Sequence, residues 1–297
     1  MLEIYHTHLD NFSNISEKAI QHYGEQIVPV ASEYVKSEEY ADKDALRADS
    51  DATNFTIPLL GLFNFSKATY TVINIIIFLL FLIIFGLEGV RGRIKPGAVL
   101  KKSLTVLLSA VGALAVGELI AYVCASAAGA TFKPFGIVQG VPFDNAAMIV
   151  STVVLVIVAV VIYMAARAKA VRKVSGSMRA SAAVNAAGRH AYNVLYGTLS
   201  LMFLLSVVLL ITLGENMMFL IPLAFATLAM ILYHLTNLRV WLLASIVLIL
   251  LHAFSFYYAL AMALTIGAFG AVAMLAFFDI MVLIPLADLY LSSNKKK

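Results

Sequence analysis

The residues best suited to chemistry stand at the start of the chain. The run Tyr5-His6-Thr7-His8-Leu9-Asp10 carries two imidazoles and a carboxylate within a few positions. Neutral imidazole and carboxylate are good zinc ligands. Residues 1–5 alternate, with Leu2 and Ile4 on one face, which suits a short strand leading into a polar loop; on a strand His6 and His8 would share a face. A catalytic zinc takes three protein ligands and keeps one position open, and no HExxH or comparable second motif completes such a set here. An HxH pair is also what an ordinary polar loop contains. A second set of capable groups lies in apolar surroundings: Glu118, His252 and Asp279, with His234 and Asp288 near enough to span ends to reach water. A carboxylate at mid-membrane costs about 2.5–3.5 kcal/mol, so such groups face a protein interior or a cavity. They would line a proton or substrate path, as in a transporter, or make interhelical hydrogen bonds that fix a bundle, as in a non-catalytic membrane scaffold.

The elements that must position these groups follow from composition. The 297 residues are 62% hydrophobic and 13% charged, with a mean hydropathy of +0.92. A soluble domain is about half apolar and about a quarter charged, so a soluble enzyme and a disordered tail are both excluded. The net charge of +4 hides a split. Residues 1–66 hold four basic side chains against eleven acidic, whereas residues 67–297 hold seventeen basic against six acidic. The positive part alternates with apolar runs, which reads as membrane topology and excludes a nucleic-acid patch. Cys124 is the single cysteine, so there is no disulfide framework and no cysteine metal cluster.

The first 66 residues are water-compatible. Asn14 and Glu17 are spaced as a capping box, and Ile20, Tyr23, Ile27, Ala31 and Tyr34 recur at helical spacing. Pro29 is expected to kink or shorten that helix. Residues 36–66 read as a charged connector. From residue 68 onward, runs of the roughly 20 apolar residues that a span needs predict helices near 69–87, 103–126, 146–166, 191–213, 217–236, 240–258 and 262–290. Residues 240–292 are one apolar block, and no Gly/Pro turn marks the break within it. Small residues Ala110, Gly112, Ala115 and Gly117 suit close packing of the second span. Phe254, Phe256, Tyr257 and Tyr258 suit an interfacial belt at the outer end of the sixth.

Basic residues gather in alternate loops: Arg91, Arg93, Lys95, Lys101 and Lys102, then Arg167 through Arg189, then Arg239, then Lys295, Lys296 and Lys297. The positive-inside rule places these in the cytoplasm, with seven spans, the N-terminal segment outside and the plasma membrane as the expected site. Met1 is followed by acidic, His-bearing sequence and not by a basic and then apolar stretch, so no signal peptide is expected in these residues. The loop 167–190 is basic enough to attract anionic lipid heads, so membrane lipid is an expected partner and nucleic acid is not.

Tyr5-His6-Thr7-His8-Leu9-Asp10-Asn11, with Ile15, Ser16 and AIQHYGEQIVPVASEY, resembles the final strand, loop and helix of the co-catalytic di-zinc peptidases of metallopeptidase family 28. The continuation DALRADSDATNFTIPLLGLFNF and the spans after it resemble the membrane-anchored branch, similar to endoplasmic reticulum metallopeptidase and vacuolar membrane protease. The resemblance covers residues 4–66 by motif. It implies a zinc aminopeptidase with two zinc ions in the complete site, a peptide substrate, His6 as the last metal ligand and Tyr5 as a hydroxyl that holds the tetrahedral intermediate. It implies that Asp10 fixes the loop. His8 departs from the pattern, where proline is common, and inherits no role; Pro29 is a second departure. The family's other ligands, bridging aspartate and general-base glutamate lie upstream of the Tyr-His-Thr segment, so this chain alone is expected to hydrolyse no peptide and to need that upstream segment as partner. The expected fold class is an all-α polytopic membrane bundle of about seven spans with a short N-terminal remnant of an α/β zinc-peptidase domain. Residues 1–35 form the remnant, 36–66 the connector and 67–297 the transmembrane domain.

Overall fold

Apolar length decides the architecture. The structure, a computed structural model, describes residues 16–42, 52–136, 138, 141, 146–175 and 180–292. Seven helices in it are long and apolar enough to cross a membrane: α2 (Lys67–Val90), α3 (Pro96–Ala127), α4 (Ala146–Ser175), α5 (Ala180–Leu213), α6 (Met217–Thr236), α7 (Val240–Leu264) and α8 (Phe269–Ser292). The protein is a multi-pass membrane protein. Before the spans come a helix α1 (Glu17–Lys36), a 3-10 turn (Glu38–Tyr40) and a hairpin of strands β1 (Ala52–Ile57) and β2 (Gly61–Ser66).

All seven predicted spans are present, and most are longer at their ends because polar turns there continue the helix. The break in the 240–292 block lies at Thr265–Ala268, a 3-10 turn in which Thr265 takes a left-handed conformation (φ 55°). Contrary to expectation a glycine does mark it. A β-carbon on Gly267 would lie 1.8 Å from the Gly136 carbonyl oxygen, so the loop after α3 can reach this corner only if residue 267 has no side chain. The Thr265 hydroxyl bridges the same loop, accepting from the Val138 N–H and donating to its carbonyl, each at 3.0 Å.

α8 is the centre of the bundle. It touches α3, α4, α5, α6 and α7, and Phe269, Val282 and Leu286 on it are fully buried. The α3–α8 crossing is close because Gly117 faces Gly270: a β-carbon on Gly117 would lie 2.8 Å from the Gly270 Cα. Ala110 is also buried, whereas Gly112 and Ala115 are exposed on the outside of α3. On α4 the side chains of Val153, Val154, Ile157, Val161 and Ile162 are exposed, as a bilayer-facing helix requires. Pro222 and Pro285 lie inside α6 and α8, and neither ends its helix.

The segment before the spans differs from expectation in three respects. The N-cap of α1 is Ser16, so Asn14, which lies outside the described residues, does not occupy that position. The helix runs on through Pro29 to Lys36, and is not shortened. The second half of the connector is ordered as the hairpin, in which Thr53, Phe55 and Ile57 pair with Phe65, Phe63 and Gly61. Those positions share one face; the hairpin packs on α2 and α7 and covers an apolar cavity of about 230 Å³ that residues of α2 and α6 also line. The Phe55 and Phe63 rings stack at 5.1 Å. The tip is apolar too, with Leu59, Leu60 and Leu62 exposed.

A buried polar network closes the hairpin end of the bundle. The Tyr70 hydroxyl donates to the Asn216 side-chain oxygen. Asn216 Nδ2 donates to Asn74 Oδ1 at 2.8 Å and to the Ser206 carbonyl at 2.9 Å. This ties α2 to the α5–α6 corner without any charge.

Candidate functional site

Tyr5, His6, His8 and Asp10 lie outside the described residues. Among the described residues there is no group of three His, Cys, Asp or Glu side chains that could hold a metal ion. What the structure does give of the head is α1. Its spacing makes one face apolar, and most of that face is uncovered: Ile20, Tyr23 and Ile27 are exposed, Ile27 to 61%. Tyr34 stacks on Tyr40 of the following turn at 5.8 Å. Among the described residues, none of the seven long helices makes a substantial contact with α1. His22 shares a hydrogen bond of 3.1 Å with Gln26 one turn on, along the exposed helix surface.

Within the membrane, Glu118, His252 and Asp279 are not gathered into one constellation. Glu118 projects from α3 onto the backbone of Gly270, where a β-carbon would lie 2.2 Å from its Oε1. Both its carboxylate oxygens are buried and have no hydrogen-bond partner among the described residues. Asp279 is nine residues further along α8, about 13.5 Å of rise and half a turn round the helix from Gly270, so it points to the opposite side. There it accepts from the Tyr257 hydroxyl of α7. His252, also on α7 and buried, stacks on Phe256 at 6.0 Å. The expected aromatic belt is therefore divided. Phe254 and Tyr258 face outward and stack on each other, while Tyr257 turns inward to satisfy Asp279.

That pairing gives a first expected result. Tyr257→Phe leaves the buried Asp279 carboxyl without its donor and lowers stability by about 1–3 kcal/mol, the cost of an unsatisfied buried polar group. Asp279→Asn keeps an acceptor for the hydroxyl and costs less. Thermal melting of the parent and both variants in the same detergent compares them; a Tyr257→Phe protein that melts like the parent would show that the hydrogen bond contributes nothing.

The strongest charged cluster was not singled out by sequence reasoning. Glu88, at the end of α2, has a fully buried side chain. His234 Nε2 lies 2.9 Å from its Oε1, Arg93 donates to it at 3.1 Å and Arg91 at 3.3 Å. The Arg93 guanidinium also lies over the Tyr192 ring at 5.6 Å. Burial works against the Arg93 charge, but Tyr192 and Glu88 outweigh it and hold the guanidinium above its ordinary value. His234 is thus not simply wetted at a span end, and Arg91 and Arg93 are more than topology signals. Only the i, i+3 spacing of Glu88 and Arg91 could have indicated part of this. Asp288 likewise does not simply reach water. It accepts from Arg167 Nε at 2.7 Å and from the Tyr163 hydroxyl at 3.1 Å, joining α8 to α4.

Both clusters sit at the end of the bundle where α2, α4, α6 and α8 finish and α3, α5 and α7 begin. The hairpin is at the other end. Comparison with family models, curated proteins and solved structures gave no match to this chain.

Proposed function

We propose that this chain is the C-terminal, membrane-embedded portion of a zinc-dependent metallopeptidase of the aminopeptidase type, hydrolysing peptide bonds at a membrane surface. The observation that carries the reading is α1. A helix with an apolar face is stabilised by burying that face, yet Ile20, Tyr23 and Ile27 on α1 stay exposed, while Tyr34 at its end stacks on Tyr40. The natural cover is the body of an α/β peptidase domain, for which α1 is the last helix and the Tyr5-His6-Thr7 segment the last strand and loop. No metal group exists among the described residues, and His6 alone cannot hold a zinc ion. The site therefore has to be completed by the upstream peptidase segment. Zinc there would supply an activated water; this chain would supply His6 as one ligand, Tyr5 as a hydroxyl donor to the developing oxyanion, and the anchor. The basic end of the bundle would face the cytoplasm and α1 the outside of the plasma membrane. The separation of Glu118, His252 and Asp279 gives the transporter alternative no single site to work with.

Immunoblotting of native membranes with an antibody to loop 167–190 tests this. A band well above 32.2 kDa is expected. Those membranes should hydrolyse a leucyl-anilide, lose the activity to a chelator and regain it with zinc. His6→Ala should lower the zinc-restored rate at least about 100-fold, since even weaker metal-site changes cost 10–100-fold. A 32.2 kDa band with no zinc-dependent rate, or a rate indifferent to His6→Ala, would overturn the reading.

A further inference from the structure

The outside of the bundle carries one groove whose two ends differ in chemistry. Its walls are α3, α4 and α8, and its volume is about 270 Å³. Small side chains make the room: Gly112 and Ala113 on α3, Ala159 on α4, Ala273 and Ala276 on α8. A β-carbon on Gly112 would meet nothing within 4 Å, so the space beside it is open. With α3 reading away from the basic end, the groove occupies mid-membrane depth, and lipid tails are the only solvent there.

At the basic end the groove meets cations. Ser109 lines it on α3, and Lys102 is seven residues earlier, on nearly the same face and about 10.5 Å nearer the membrane surface. Lys102 is half-buried, and among the described residues it pairs with no carboxylate. Its stem lies against α5, where a β-carbon on Gly197 would lie 2.8 Å from the Lys102 Cβ. On α4 the groove wall ends at Ile162, and the next residue, Tyr163, meets the buried His190 ring edge-on at 5.2 Å. His190 Nε2 is buried with no partner among the described residues. One turn beyond Tyr163, Arg167 is held by Asp288. The charges acting on the His190 ring are thus Lys102 and Arg167 against the single carboxylate Asp288, and its Nε2 is left without a partner among the described residues. A half-buried ammonium without a counter-charge is costly unless an anion sits beside it.

We propose that the groove and the Lys102–His190–Arg167 cluster together bind one anionic phospholipid, its phosphate on the cations and one acyl chain along α3, α4 and α8. A free phosphate would satisfy the cations and leave the groove unused. A neutral lipid would fill the groove and leave Lys102 uncompensated. Only a molecule with both parts uses both ends. The site stands on the membrane fold and is independent of the peptidase reading.

The test uses the purified full chain, exchanged into phosphatidylcholine and phosphatidylglycerol of identical acyl chains, with the retained lipid read by native mass spectrometry. The chain should retain phosphatidylglycerol at least tenfold over phosphatidylcholine. Lys102→Met keeps the stem against Gly197 and should cut the phosphatidylglycerol adduct at least fivefold, with Lys102→Arg restoring it. Lys101→Met, on the neighbouring exposed lysine, should leave it unchanged. Gly112→Leu fills the groove without touching the cations and should lower the adduct as well. Millimolar glycerol phosphate should not displace the lipid. Equal retention of the two lipids, loss in Lys101→Met as large as in Lys102→Met, or displacement by glycerol phosphate would each overturn the proposal.

Discussion

Gly267→Val leaves no well-folded protein: the purified variant is expected to elute as a broad, aggregated peak, where the parent chain gives one monodisperse species. The substituted β-carbon would stand 1.8 Å from the Gly136 carbonyl oxygen and 2.9 Å from that of Lys133. Both obstacles are backbone, so no side chain can swing aside and the whole loop after α3 must move. Moving it breaks the Phe135 N–H bond to the Gly267 carbonyl and both Val138 bonds to the Thr265 hydroxyl. It also uncovers Val138 and Ile266, each fully buried. Three hydrogen bonds at about 0.5–1.5 kcal/mol and two aliphatic side chains at about 1.5–3 kcal/mol come to roughly 5–10 kcal/mol. That is as large as the whole stability of a typical domain, about 5–15 kcal/mol. Gly86, where a β-carbon meets nothing within 4 Å, is the matched control, and Gly86→Ala should melt like the parent or slightly above it. A Gly267→Val protein with the parent's elution and melting would show that the α3 loop does not dock on this corner.

The second large effect is expected at Glu88. Its carboxylate is the single anion in a cluster with Arg91, Arg93 and His234, and it ties the end of α2 to the end of α6. Removing one partner of a buried pair typically costs about 3–5 kcal/mol because the remaining charge is left uncompensated. Here Arg91 and Arg93 are partly exposed, with side chains 44% and 39% accessible, and can turn to water. Glu88→Ala should therefore cost about 2–3 kcal/mol, below that range. Glu88→Leu combined with His234→Leu should recover part of the loss, since an apolar pair of similar bulk needs no compensation. Detergent melting curves of the two singles and the double give the coupling. Additive losses would mean that Glu88 and His234 do not depend on each other.

Residues differ in how much of their role sequence shows. The spans are legible because a membrane helix is defined by its own length and polarity, with no partner needed. The Thr265–Ala268 break is not, because Gly267 reads as an ordinary small residue of an apolar run until Gly136, over a hundred residues away in sequence, is brought against it. Polarity inside an apolar run singles out Glu118, His252 and Asp279 at once. It does not say that Asp279 takes a tyrosine from a cluster that looks like an interfacial belt, or that Glu118 rests on a glycine backbone. Glu88 escapes notice because it closes a span beside two arginines, which looks like a wetted end. Its partner His234 is on another helix, and Tyr192, under the guanidinium of its partner Arg93, is on a third. Tyr5 and His6 rest on motif alone.

The central place of α8 sets an order of events. α8 organises α3, α4, α5, α6 and α7, yet it follows all of them in the chain, and about 140 residues separate the end of α3 from its beginning. At about 5–20 residues per second, α3 waits on the order of ten seconds in the bilayer before its main partner is synthesised. Insertion and assembly are therefore separate in time. Until α8 arrives, Gly117 and Glu118 are presented to whatever else the membrane holds, and a carboxylate in lipid is a signal that quality-control machinery can read. For this chain the risk of misassembly is concentrated in that interval, and a premature stop before α8 would leave inserted helices with no centre to gather around.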